Sequence, residues 1–397
     1  MTTAVLCFVF AVWPVVAFVG ALGFAPLTGV AALATSPVWA PRLRIRIYMI
    51  ALIAFFAYAA ASALWSPRPS VLIDLEKLSV RSEILRVGLL LLAGGGLIAA
   101  AQTMNERGRM LVARIATIAL IVQLVSVVVL TIFAEPIVLG IYGSEEQDEG
   151  AQNITRNALI MAVVSPFLVL GLVEGRGRVY AIAIGAAVIA AEAAILIQRE
   201  VDAGLLFLLI MAILYVILRK FRRSGFRIIG ALIALAIMTA PFVFQVVSSG
   251  VEASAASNSI QYRQLIWHSV IEIIWQNPIF GSGVGVLRTH LETIPEGVFV
   301  GQLHIPNHAH NMLLQLWVET GAVGATLISL AVVLASFRLP SPEHLGNATP
   351  RIAALIAGVM ATWVSFDLWN EWRWAVSALL CVLTIVNVPP RAADVPG

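Results

Sequence analysis

The sequence predicts an all-α, polytopic membrane protein of about twelve transmembrane helices with one long outer loop. Three observations predict it. Apolar residues make up 60% of the chain and charged residues only 12%, well below the roughly 25% charged share of ordinary domains. The apolar residues come in runs close to the 20 or so that a membrane-spanning helix needs. Basic residues recur in alternate gaps between those runs, which is the signature of a fixed orientation.

The expected spans are 4–20, 22–36, 46–64, 84–101, 112–133, 157–173, 179–197, 203–218, 228–248, 311–336, 352–367 and 373–389. Gly20, Gly23 and Pro26 interrupt the first two runs, so the expected count is twelve, or eleven. With both termini in the cytoplasm, Arg42, Arg44, Arg46, Arg107, Arg109, Arg176, Arg178 and the run Arg219, Lys220, Arg222 and Arg223 all fall on cytoplasmic turns. The acids Glu145, Glu146, Asp148 and Glu149 then fall outside. The net charge of +3 is thus a topology signal and implies no nucleic acid partner. The basic turns can also touch anionic membrane lipids. Cys7 and Cys381 lie in separate apolar spans and form neither a disulfide framework nor a zinc spacing. The N-terminus lacks a basic leader, so the first span is expected to be retained. Asn153-Ile154-Thr155 fits a glycosylation sequon, a tripeptide that recurs by chance. The chain reads as a bundle over 1–248, an outer loop over 249–310, and further spans over 311–397.

The outer loop carries most of the chemistry. From Ile260 to Trp275 apolar residues recur at three and four, which predicts an amphipathic helix at the interface with Trp267 and Trp275 as anchors. Pro278 ends it, and Gly281, Gly283 and Gly285 alternate after it, giving a backbone that a bulky ligand can approach. No strand precedes these glycines, so a dinucleotide fold is excluded. Five of the six histidines (His268, His290, His304, His308 and His310) lie in this loop. A neutral imidazole suits removal of a hydroxyl proton near neutral pH. His310 precedes a long apolar run, with Asn307 or Asn311 placed to cap the helix start. His308 is a structural or supporting partner. A metal site from His304, His308 and His310 is disfavoured, because Pro306 breaks helical spacing and no further ligand is near in sequence.

Arginines near the same face form a second set: Arg156, Arg199 and Arg263. Guanidinium stays charged and offers a fork of donors suited to diphosphate. A charge in the membrane costs at least about 2.5 kcal/mol on insertion scales, which argues for a role. Pairing with Glu149, Glu200 or Asp202 is the structural alternative. Glu319, inside the apolar run, pairs with an arginine, orients His310 or serves packing; Gly321 and Gly324 allow a neighbouring helix close. Asp367, Asn370, Glu371 and Arg373 read as a solvated outer turn.

His310-Asn311, with Gly321 and Gly324 following, resembles the signature of bacterial O-antigen ligases. Arg263 and Trp267, Pro278, Gly281 and Gly283, and the early segment Ser62 to Pro69 are similar to the same family and to the related O-antigen polymerases. The resemblance implies a glycosyltransferase that takes a glycan from undecaprenyl diphosphate at the periplasmic side of the inner membrane. It further implies a lipid A core or glycan acceptor and no metal or other cofactor. His310 corresponds to the family's base and Arg263 to the loop arginine that holds diphosphate. Arg199 falls near an inner-bundle arginine, but its setting Gln198-Arg199-Glu200 departs from the family's pattern. Ligation is the expected activity, polymerisation its nearest rival. A lipid-linked sugar transporter, supported by the intramembrane Glu192, is the rival of another class. The absence of a strong internal repeat argues against that rival.

Overall fold

The computed structural model describes residues 1–42, 44–68, 82–133, 140, 147–173, 176–198, 202–249, 258–295, 299–339, 348–361, 363 and 367–387. Thirteen α-helices are found among them: α1 (Thr2–Phe18), α2 (Phe24–Trp39), α3 (Ile47–Ala61), α4 (Glu83–Gln102), α5 (Glu106–Ile132), α6 (Gln147–Val173), α7 (Arg178–Gln198), α8 (Asp202–Lys220), α9 (Gly225–Ser249), α10 (Asn258–Gln276), α11 (Met312–Ser336), α12 (Thr349–Ala361) and α13 (Glu371–Val386). Seven helices are long and apolar enough to cross a membrane. No strand occurs among the described residues, only an isolated bridge between Thr293 and Leu303. The protein is an all-helical, multi-pass membrane protein.

Each expected span has a helix, and α10 is the expected loop helix. The first two runs are separate, broken at Gly20 and Ala21, both with positive φ. Side chains close the helix starts: Ser82 caps α4, Asn105 caps α5 and Asn311 caps α11. Prolines inside helices leave a carbonyl without its usual donor, and neighbours repair the loss. Pro241 frees the carbonyl of Ile237 in α9, and Trp317 of α11 donates its indole N–H there at 2.8 Å. Ser165 does the same for Ala162, freed by Pro166 in α6, at 2.9 Å.

Two hydrophobic cores fill the bundle. The larger joins α1, α2, α4 to α8, the start of α9, α12 and α13. Its polar thread runs from Trp13 to Gln123 (2.7 Å) and on to Asn157 (2.9 Å), joining α1, α5 and α6. The second core joins α3, the start of α4, the far half of α9, α10 and α11 with Val284, Val286, Leu287, Ile305 and Ala309 of the loop and with Trp363, Leu368 and Trp369. The functional candidates other than Arg156 and Arg199 surround this second core. Trp267 is buried there edge-on to Phe244, with ring centroids 4.9 Å apart. It is therefore not the interfacial anchor that the sequence suggested, because α10 folds back onto α9. Trp275 stays partly exposed against Phe242.

Helix α11 is broken in its middle. Gly321 has φ 61° and ψ −162°, a region open essentially only to glycine. The break frees the carbonyls of Val318 and Glu319 and the N–H groups of Ala322 and Val323. The segment 278–283 takes their place. Ser282 N–H donates to Val318 O (2.8 Å) and Gly283 N–H to Glu319 O (3.1 Å); Ala322 and Val323 donate to the carbonyls of Pro278 (2.9 Å) and Ile279 (3.2 Å). The approach is backbone to backbone. A Cβ on Gly281 would lie 2.5 Å from Thr320 N, and one on Gly321 would lie 2.5 Å from Gly281 N. Gly321 is thus a splice point for a loop, not the helix-packing position expected from the sequence. Gly324 makes room for the Thr320 side chain of its own helix.

A Gly321→Ala substitution is expected to destabilise the protein by more than about 2 kcal/mol through steric clash and backbone strain. Gly301→Ala is the control: φ there is 81°, but a Cβ meets nothing within 4 Å. Denaturant unfolding in detergent showing equal losses for the two would remove the splice from the account.

Candidate functional site

The site is built on the face of the bundle where α3 ends, α4 begins and the long loop enters α11. Three segments distant in sequence lock together there. Tyr58 and Trp65, at the end of α3, donate to the carbonyls of Phe280 (2.8 Å) and Gly281 (3.2 Å). Ser62 accepts from Val284 N–H (3.1 Å) and Ser66 donates to Val284 O (2.7 Å). A Cβ on Gly283 would lie 2.6 Å from Ser66 Cα. The alternating glycines are therefore approached by the protein's own chain rather than left open for a ligand.

Glu319 holds the third segment. It is buried at the break, and its Oε1 accepts from Gly285 N–H and Gln315 Nε2, each at 3.1 Å. Oε2 accepts from Trp369 Nε1 at 2.6 Å. Gln315 in turn accepts from Leu368 N–H at 3.3 Å. Of the sequence's options for Glu319, none places it between three neutral donors; the structure does. The turn before α13 is docked rather than solvated: Arg373 is buried, with Nη2 2.9 Å from Met312 Sδ.

His310 lies at the mouth of α11 with φ 46°, a left-handed conformation that is uncommon outside glycine. Asn311 follows as the buried N-cap, its Oδ1 accepting from Leu313 (3.0 Å) and Leu314 (3.1 Å). The cap fixes where the helix starts and so fixes His310 just outside it. The His308 ring lies beside that of His310, with centroids 4.1 Å apart. Burial, and then the nearby Arg288 guanidinium, hold His308 at about 4, well below the usual imidazole value. It is neutral under physiological conditions. Asp367, in the same cluster, is pushed above the usual carboxylate range by burial.

Arg288 was not singled out by sequence. It bridges Glu83 of α4 and, at 3.8 Å, Asp367. Arg68 lies 4.0 Å from Glu83, and Arg86 pairs with Glu371 at 2.9 Å. These pairs tie four segments to one face, as the alternation of basic turns requires. The sequence signal was weak, because Arg288 sits in a short 3-10 turn (Val286–Thr289) and its partners Glu83 and Asp367 are distant in the chain.

Arg263 shares the inward stripe of α10 with Trp267, Val270 and Ile274, which are buried in the second core. Arg156 lies elsewhere, donating to Asn153 (2.9 Å) and Gln152 (3.2 Å) on its own helix, where Asn153 packs against Gly20. Asn153 is itself buried, which removes the sequon as a surface acceptor. Arg199 lies outside the described residues. No group of three His, Cys, Asp or Glu among the described residues is arranged to hold a metal. A cavity of about 980 Å³, open to solvent, lies on the side of α10 away from Arg263 and is lined by His268, His290 and His304.

Fold and site together define a polytopic helical membrane protein with a spliced helix and a histidine pair at one face. Residues 186–329 match the family model described as O-antigen ligase. A protein named "Putative polysaccharide ligase" from Rickettsia conorii is 25% identical over 167 residues, 40% of each chain. Relatives of the same name from Rickettsia prowazekii (24% over 190 residues) and Rickettsia typhi (23% over 189 residues) each align over 45% of both chains. The matches thus span less than half the length of the curated relatives. They support an O-antigen ligase family for this chain, in agreement with the motif resemblance.

The low value of His308 sets a pH dependence. A folded-state value below the ordinary 6.5 leaves its stabilising share complete above 6.5 and lost as pH falls towards 4. His308→Gln is expected to flatten the fall of the thermal unfolding midpoint across that window. Parallel curves for wild type and variant would contradict the burial of a neutral imidazole.

Proposed function

We propose that the protein transfers a glycan from undecaprenyl diphosphate to a sugar hydroxyl of lipid A core, at the periplasmic face of a bacterial inner membrane. One observation carries the reading. His310 is held in a left-handed conformation beside a neutral His308, at the capped start of a spliced helix, within the segment that matches the O-antigen ligase family. A base fixed in this way can accept a proton only where the backbone aims it.

In the proposed step the acceptor hydroxyl gives its proton to His310 as its oxygen bonds to the donor's anomeric carbon. The bond from that carbon to the diphosphate oxygen breaks, and undecaprenyl diphosphate leaves with the electron pair. Arg263 holds the negative charge that develops there. Its place on the inward stripe of α10 supports that role. Arg156 is engaged by amide oxygens of its own helix, so it contributes less to the proposal; Arg199 keeps only the support of its sequence position. Glu319, Gly321 and Asn311 position His310 without touching substrate. In-line displacement inverts the anomeric centre, which NMR of the product linkage tests.

Glu192 favours a second reading, proton-coupled transport of lipid-linked sugar. It is fully buried in α7, and neither carboxylate oxygen finds a donor. The deciding experiment is a lipopolysaccharide gel from a host deleted for the gene and rescued with wild type or His310→Asn. Asparagine tolerates the left-handed backbone, so the variant removes the imidazole alone. Loss of a base is expected to slow transfer by about 100-fold or more, leaving bare core and carrier-linked polymer. Core bearing a single repeat would indicate a polymerase instead. An unchanged ladder with the variant would refute the role of His310.

A further inference from the structure

We propose that the cavity between α10 and the loop residues His290, Glu292, Phe299, His304 and Ile305 is a saccharide subsite that binds the hydroxyls of an uncharged sugar chain. This rests on the glycan-transfer reading above, and it adds a place for the sugars that the reading lacks.

The cavity occupies about 980 Å³, at the upper end of small-molecule sites and large for a single sugar ring. One wall is the polar stripe of α10, running from Gln261 through His268 and Glu272 to Gln276. That stripe reads in sequence as the solvated side of an amphipathic helix. Here it faces a second wall carrying His290, Glu292 and His304. The second wall is held in shape by its own backbone: His304 N–H donates to Glu292 O at 2.9 Å, and Ile294 N–H to Gln302 O at 2.8 Å. Phe299 closes one side, with its ring against Tyr262 at 5.3 Å. Tyr262 is anchored to Leu303 O at 2.8 Å.

The lining decides the ligand class. Among the described residues it holds two carboxylates, three imidazoles and several amides and hydroxyls, with no lysine or arginine. Carboxylates accept hydrogen bonds from paired hydroxyls and repel phosphate. Imidazoles donate and accept at once. The Phe299 ring offers an apolar surface to the C–H face of a sugar. On the transfer reading the diphosphate is held from the opposite stripe of α10, by Arg263. One helix thus separates a cationic side from an anionic, hydroxyl-binding side. The second wall continues from Ile305 in five residues to His310, so a sugar chain seated in the cavity lies along the segment that carries the proposed base.

The test measures binding without turnover, on the full-length protein in nanodiscs. Two probes are titrated: dephosphorylated, lipid-free core oligosaccharide, and an undecaprenyl diphosphate-linked repeat unit. The variants are Glu272→Gln and His304→Gln; Glu272 is 68% exposed, so its replacement leaves folding intact. Loss of a charged hydrogen bond is expected to weaken binding about tenfold. Weaker oligosaccharide binding with unchanged donor binding places the acceptor in the cavity. The reverse pattern places the donor glycan there, and the subsite stands. Unchanged affinity for both probes in the double variant overturns the proposal, as does displacement of the oligosaccharide by inorganic pyrophosphate. Failure of the transfer reading is a separate result, seen as an unchanged lipopolysaccharide ladder in the host deleted for the gene, with the cavity variants still losing affinity.

Discussion

Everything at the loop face depends on the splice in α11. A helix broken within a membrane leaves peptide groups without partners, and hydrocarbon supplies none. Here the lost pairs are those from Ala322 to Val318 and from Val323 to Glu319. The segment 278–283 replaces each donor and each acceptor with its own. The loop is therefore held by the helix's own backbone demand, which side-chain contacts alone would not match in rigidity. The Glu319 carboxylate sits at the same point and draws in Gly285, Gln315 and Trp369. One break thus fixes the end of α3, the glycine segment and the turn before α13 relative to the start of α11.

That fixing sets the chemistry apart from the membrane's interior. The charged residues Arg68, Glu83, Arg288 and Asp367 form a joined network on this face. His308 lies near its cation, and together with burial that cation keeps the ring neutral. Helix α10 then divides the space: Arg263 on the stripe shared with Trp267, and Glu272 and His268 on the other side.

Much of this was legible in the sequence. Hydropathy marked the spans, and charge alternation required that the ends of α3 and α12 meet the loop on one face. Asn307 and Asn311 both offered a helix start, of which Asn311 is the cap, and Pro278 announced the end of α10. The early segment Ser62 to Pro69 was recognisable as a motif, although nothing local said that Ser62 and Ser66 would seat the glycines. The splice itself was not legible. Gly281 and Gly321 are forty residues apart, and each is glycine because of the other's backbone; a single chain's pattern does not pair them. Trp267 misled because an aromatic on an amphipathic helix looks alike whether it meets lipid headgroups or Phe244. Arg288 and the docked turn at Asp367 were hidden for the same reason, since their partners come from α4 and from each other.

The splice also orders the protein's assembly. When α11 emerges from the ribosome, the segment that completes its ladder has already been made, whereas Trp369 has not. Glu319 must wait for the turn before α13 to supply its last donor. The loop face is therefore complete only once that turn has been made, after α11 itself.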